Sequence, residues 1–200
     1  MTHRYHSPPG GLPPQTGLMT GRAVFTEAYA VIPAGCFSDI VTSALPGWAG
    51  TRLWMIARPM TGFSETFSHY VMEVRPGGGS DAPDPEAGAQ SVIFVAAGGL
   101  ALTIRGVTHD LDPGGYAYIP PRAPWSLRVE GAAPARFHWI RKLYVPAPGI
   151  PVPEAFVTNE ATIPPAPMPD TQGRWATTRF VEPDDLAHDM HVNIVTFQPG

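Results

Sequence analysis

Apolar positions along this chain fall into short runs, some alternating with polar residues and some unbroken, and each run is closed by Gly, Pro or Asp. Strands joined by turns produce that pattern. It predicts strands over 23–32, 39–43, 51–58, 65–75, 91–97, 100–105, 115–119, 125–129 and 136–142. Loops are expected at Pro76-Gly77-Gly78-Gly79, through the Asp- and Pro-rich stretch 80–90, at Gly98-Gly99 and at Asp112-Pro113-Gly114. No stretch beyond about ten residues repeats with a period of 3.6, which excludes a helical bundle. From 145 to 173 prolines crowd the chain, and this reads as a connector without secondary structure of its own. Strands resume over 175–180 and 189–198, with a helical turn near 183–187 begun by Pro183. The expected class is therefore all-β.

Composition narrows the partners. The 200 residues hold 21 glycines and 25 prolines without a three-residue period, 44% hydrophobic and 15% charged residues, so the chain is neither collagenous nor disordered. Thirteen Lys+Arg against seventeen Asp+Glu, with Lys142 the one lysine and no basic run, argue against nucleic acid. Cys36 is alone and cannot form an internal disulfide. Residues 1–20 lack the apolar core of a signal peptide, and nowhere do eighteen apolar residues run together, so a cytoplasmic location without membrane contact is expected.

The strand that runs to Arg75 and meets Pro76-Gly77 is similar to the one that runs to Gln198 and meets Pro199-Gly200, 123 residues later. An internal repeat follows from this. The first copy continues for a further 67 residues to Leu143, whereas nothing follows the second. Equal repeats would make the parent protein about 270 residues long. The expected organisation is an arm over 1–20, a first barrel over 21–144, the connector over 145–173, and the first strands of an incomplete second barrel over 174–200.

Spacing points to a fold family. Gly78 is followed after five residues by Asp84-Pro85-Glu86, then by Ser91 and Gly98; Gly114 leads after five residues to Pro120, then Arg122 and Trp125. This resembles the two motifs of cupins, jelly-roll barrels in which those positions carry His-x-His, Glu and a final His as metal ligands. Here they hold Asp84, Glu86, Ser91 and Trp125, with no imidazole among them. Asp84 and Glu86 read as solvated loop carboxylates, with Trp125 plugging the barrel mouth; a hard-cation site from Asp81, Asp84 and Glu86 is the competing reading. Glu65, His69 and Glu73 share a strand face by parity and are expected as charged outer positions. His3 and His6 fall in the N-terminal arm. His191 and Asn193 share a face of the last strand that could line a pocket, with satisfied structural histidine as the plainer reading.

Longer identities resemble one branch of that family. They include RAVFTEAYAVIP (22–33), DIVTSALPGW (39–48), PGGYAYIPP (113–121), PARFHWIRK (134–142) and RWATTRFVEPDDLAHDMHVNIVTFQPG (174–200), and they cover essentially the whole chain. These are similar to the (S)-ureidoglycine aminohydrolases of allantoin breakdown, which are bicupins. The resemblance implies two barrels in one chain, assembly into homo-oligomers, a small ureide substrate, and manganese in the second barrel only. That manganese would be held by a Glu-x-His-x3-His segment and a later Gln beyond Gly200, so the resemblance implies no catalytic or metal-ligating residue in these 200. Met190, His191 and Asn193 are the substrate-pocket candidates it leaves in this chain. A non-catalytic cupin that binds a small ligand or mediates oligomerisation is the alternative.

Overall fold

In a computed structural model, which describes residues 24–25, 29–31, 45–59 and 66–199, all regular structure is extended apart from one 3-10 turn at Glu160–Thr162. The strands are β1 (Val24–Phe25), β2 (Ala30–Val31), β3 (Ala49–Ala57), β4 (Phe67–Ser80), β5 (Ala89–Ala97), β6 (Leu100–Ile104) and β7 (Val107–Leu111). After them come β8 (Gly115–Ile119), β9 (Trp125–Arg128), β10 (Ala135–Leu143), β11 (Phe156–Asn159), β12 (Ala166–Pro167), β13 (Trp175–Arg179) and β14 (Asn193–Phe197). Among the described residues, nine strands make one antiparallel sheet in the order β11-β8-β5-β10-β4-β9-β6-β7, with β3 also on β4. The sheet curls into a nearly closed jelly-roll barrel, in agreement with the expected class.

Parity along β4 sets the two faces. Met72 and Val74 point inward and meet Ile93, Val95, Leu102, Ala117, Leu127, Phe137 and Trp139 in the barrel core. The opposite face of β5, β8 and β10 is also buried, by Val92, Phe94, Tyr116, Tyr118 and Ile140 under Phe156, Phe180 and Met190. Phe180 stacks on Tyr116 with ring centroids 4.0 Å apart and planes 9° apart. Two covered faces explain why the segments Val92–Ala97 of β5 and Gly115–Ile119 read as unbroken apolar runs.

The Pro76-Gly77-Gly78-Gly79 stretch, expected as a loop, belongs to β4. Between the pairs Ala49↔Gly79 and Thr51↔Val74, four residues of β4 stand opposite one of β3, a bulge that bends the strand away from β3 and onto β9. Gly77 N–H donates to Val129 O at 2.7 Å and Val129 N–H to Gly78 O at 3.1 Å across the new pairing. Pro76 is tolerated because the bulge asks no ladder donor of it.

Other expectations are corrected. The stretch 145–173 is not without structure: β11 pairs with β8 (Phe156↔Tyr118) and β12 with β13 (Ala166↔Thr177). Each borrows its order from a partner strand, which local proline content cannot reveal. Near 183–187 there is no helix but two successive turns, Asp185 N–H to Glu182 O and His188 N–H to Asp185 O. The last strand is confined to Asn193–Phe197. Within 23–32 the described residues form an antiparallel pair, Val24↔Val31 and Phe25↔Ala30, and not one strand. β7 was not foreseen; Arg105 (φ 50°) and Gly106 (φ 83°) form the two-residue hairpin turn that creates it. The strand expected over 39–43 lies outside the described residues, as do Cys36, His3, His6 and Glu65.

Candidate functional site

The barrel mouth lies where the cupin pattern would place metal ligands. Asp84 is not a solvated carboxylate: its side chain is 5% exposed, and Arg141 on β10 grips it with Nε 2.6 Å from Oδ2 and Nη2 2.8 Å from Oδ1. Glu86 is exposed, and its backbone N–H donates to Asp84 Oδ1 at 2.9 Å. Ser91 Oγ accepts from Trp139 Nε1 at 3.0 Å, and the Trp125 ring stands edge-on to Trp139 at 5.9 Å. Asp81 is taken by Arg128 at 2.6 Å. Among the described residues no three His, Cys, Asp or Glu side chains are grouped so as to hold a metal. A carboxylate already filled by a guanidinium, a hydroxyl used as acceptor and an indole without a lone pair to give do not fit manganese.

A second concavity, about 470 Å³ in volume, opens on the outer face where β4 and β10 meet the stretch that leads into β14. Phe67, Ile140, Met190 and Val192 make its apolar walls. His69, His191 and Asn193 also line it, and the Lys142–Asp189 pair closes one side. The structure thus brings Met190, His191 and Asn193 to one groove and adds His69, Lys142 and Asp189, which sequence reasoning did not place there. Lys142 gave one available signal, as the single lysine on the outward parity of a strand buried on both faces.

The electrostatics of the groove are closed within the protein. Burial by itself would raise the Asp189 carboxyl; hydrogen bonds from Lys142, Gln90 and the Val145 N–H outweigh it and hold the group below its ordinary value. The Gln90 amide oxygen in turn accepts from Tyr118 OH at 3.0 Å, and burial pushes that phenol up so that it stays a donor. His69 Nε2 lies 2.9 Å from His138 Nδ1. Burial first, and the neighbouring His138 second, lower His69 to about 3, so the ring is neutral at pH 7. Neither His69 nor Glu73 is a free outer charge: Glu73 is 8% exposed and bound by Arg136 Nε at 2.7 Å. The groove holds the neutral His69 imidazole, the Asn193 amide and a self-paired ammonium, a set that offers hydrogen bonds and contains no activated nucleophile.

A model of the cupin domain matches residues 70–141, from β4 through β10. Residues 70–141 are a cupin domain. Among solved structures, the chain is similar to a protein of Pseudomonas aeruginosa described as glyoxylate-induced, with 56% identity and a TM-score of 0.87 over 98% of this chain and 71% of that one. It is also similar to the (S)-ureidoglycine aminohydrolases of Escherichia coli, 24% identical over 176 residues, and Arabidopsis thaliana, 28% identical over 183. Those matches take in 86% and 90% of this chain but span 66% and 56% of the relatives' own lengths. Among the described residues, no helix is long and apolar enough to cross a membrane.

Proposed function

We propose that this chain is the first-barrel portion of a cytoplasmic bicupin of the ureidoglycine aminohydrolase type, assembled into homo-oligomers. The observation that carries the reading is the pair of curated relatives: both have that activity, and their likeness extends over nearly all of this chain. The reaction adds water across the C–N bond of (S)-ureidoglycine and gives (S)-ureidoglycolate and ammonia. Ureidoglycolate is the urea adduct of glyoxylate, so the description of the Pseudomonas relative fits the same chemistry. On this reading the first barrel lies within 21–144 and the second begins within 174–200.

In this reading the first barrel is scaffold. Manganese, bound beyond Gly200, would polarise the substrate. Residues of this chain hold the stretch 189–193 against the barrel, so that Met190, His191 and Asn193 stand at the junction of the two units. The test is ammonia release from (S)-ureidoglycine in manganese buffer, by the 200-residue chain and by the product of its gene read through past Gly200. The longer product should turn over, and the 200-residue chain should match the spontaneous rate. Turnover by the short chain, or none by a longer product carrying Glu-x-His-x3-His, overturns the reading.

The second reading, a non-catalytic cupin that binds a small ligand or mediates oligomerisation, draws on the filled ligand positions at the barrel mouth. A gene without a Glu-x-His-x3-His segment after Gly200 would favour it.

A further inference from the structure

A carboxylate as enclosed as Asp84 must be compensated by a positive group or lose its charge. In a metal-binding barrel that group is the ion. Here Arg141 approaches from the inner parity of β10 and takes both oxygens in the parallel two-bond arrangement that a planar guanidinium matches. Oδ1 accepts a further hydrogen bond from the Glu86 N–H, which leaves Asp84 little capacity for another partner. The neighbouring ligand positions are shut in the same manner, Ser91 by the Trp139 indole N–H and Trp125 by its packing against Trp139.

We infer that Arg141 is the resident cation of this barrel: it supplies the positive charge that a metal would supply and keeps a metal out. A guanidinium stays protonated throughout the stable range of a protein, so the compensation depends neither on pH near neutrality nor on metal supply. The inference stands whichever reaction the protein carries, because it concerns only the first barrel. It also assigns a role to a residue, 57 positions after Asp84, that the motif spacing does not single out.

The test uses the 200-residue chain with Asp84→Asn, Arg141→Met, Arg141→Lys and the double variant Asp84→Asn/Arg141→Met. Metal content is measured after dialysis against manganese, and thermal midpoints are taken in EDTA and in manganese. Wild type should retain no stoichiometric manganese and show one midpoint in both buffers. Arg141→Met should lower the midpoint by roughly 5–15 °C, because it strands an enclosed carboxylate. The double variant should recover at least half of that loss, and Arg141→Lys should retain more of the midpoint than Met does. If Arg141→Met fails to fold, rescue by the double variant still reads the coupling. Stoichiometric manganese in wild type, additive losses in the double variant, or Lys no better than Met would overturn the inference.

Discussion

Lys142 and Asp189 lie 47 residues apart in sequence, yet Lys142 Nζ stands 2.9 Å from both the Oδ2 and the main-chain oxygen of Asp189. The pair ties the end of β10 to the stretch that carries Met190, His191 and Asn193. Because its two side chains are each 17% exposed, it is neither a free surface pair nor a fully dry one. Asp189→Asn should destabilise the chain by roughly 1–3 kcal/mol at pH 7. The folded carboxyl titrates below its ordinary 3.8, so its contribution is complete above that value and is lost as pH falls through the lower folded one. Urea unfolding of wild type and Asp189→Asn at pH 7 and at pH 3 checks this. The gap between the two should narrow at pH 3, and an equal gap at both would contradict the assignment.

His69 predicts a different acid window. Its folded value of about 3 lies below the ordinary 6.5, so between those limits the unfolded chain takes up a proton that the folded chain refuses. Stability from this group is complete above pH 6.5 and falls as pH drops toward 3, by roughly 1–3 kcal/mol at pH 4 once partial solvent access is allowed for. The His69 imidazole should show no titration by NMR between pH 5 and 8. His69→Gln should flatten the decline in stability over pH 6–4, a range that Asp189→Asn leaves almost untouched.

What the sequence made legible was whatever its own neighbours determine. The runs that became β5, β8 and β10 were located to within two residues, β5 and β8 because burial on both faces leaves their centres apolar and β10 because its inward positions Ala135, Phe137 and Trp139 alternate with more polar ones. β11 and β12 were missed because four mixed residues and an Ala-Pro pair become strands only when β8 and β13 offer them ladders. His191 and Asn193 were grouped by parity along an expected strand over 189–198, but β14 begins only at Asn193, so it is the path of the preceding stretch and not strand alternation that brings His191 to the same groove. Asp84 was misread as solvated because its partner is 57 residues away, and Asp189 was not singled out because its donors come from β5 and β10. Spacing finds motifs, but the charge state of a site is set by contacts that fold in from elsewhere.

The bend in β4 rests on a glycine, and its demand is steric. Gly79 has φ of +138°, and a Cβ placed there would sit 1.9 Å from the carbonyl oxygen of Leu127. That oxygen is backbone in β9, the strand on which β4 closes the barrel, so it cannot swing aside like a side-chain tip. Two residues earlier, Gly77 also has positive φ, +75°, but a methyl at that position would meet nothing within 4 Å. The two positions therefore separate conformational strain from collision. Gly77→Ala should cost only roughly 1 kcal/mol and still unfold cooperatively. Gly79→Ala should abolish the cooperative thermal transition or leave the chain insoluble, because the β4–β9 pairing must part to admit the methyl. A Gly79→Ala chain that melts at the wild-type midpoint would show that this approach is not what closes the barrel.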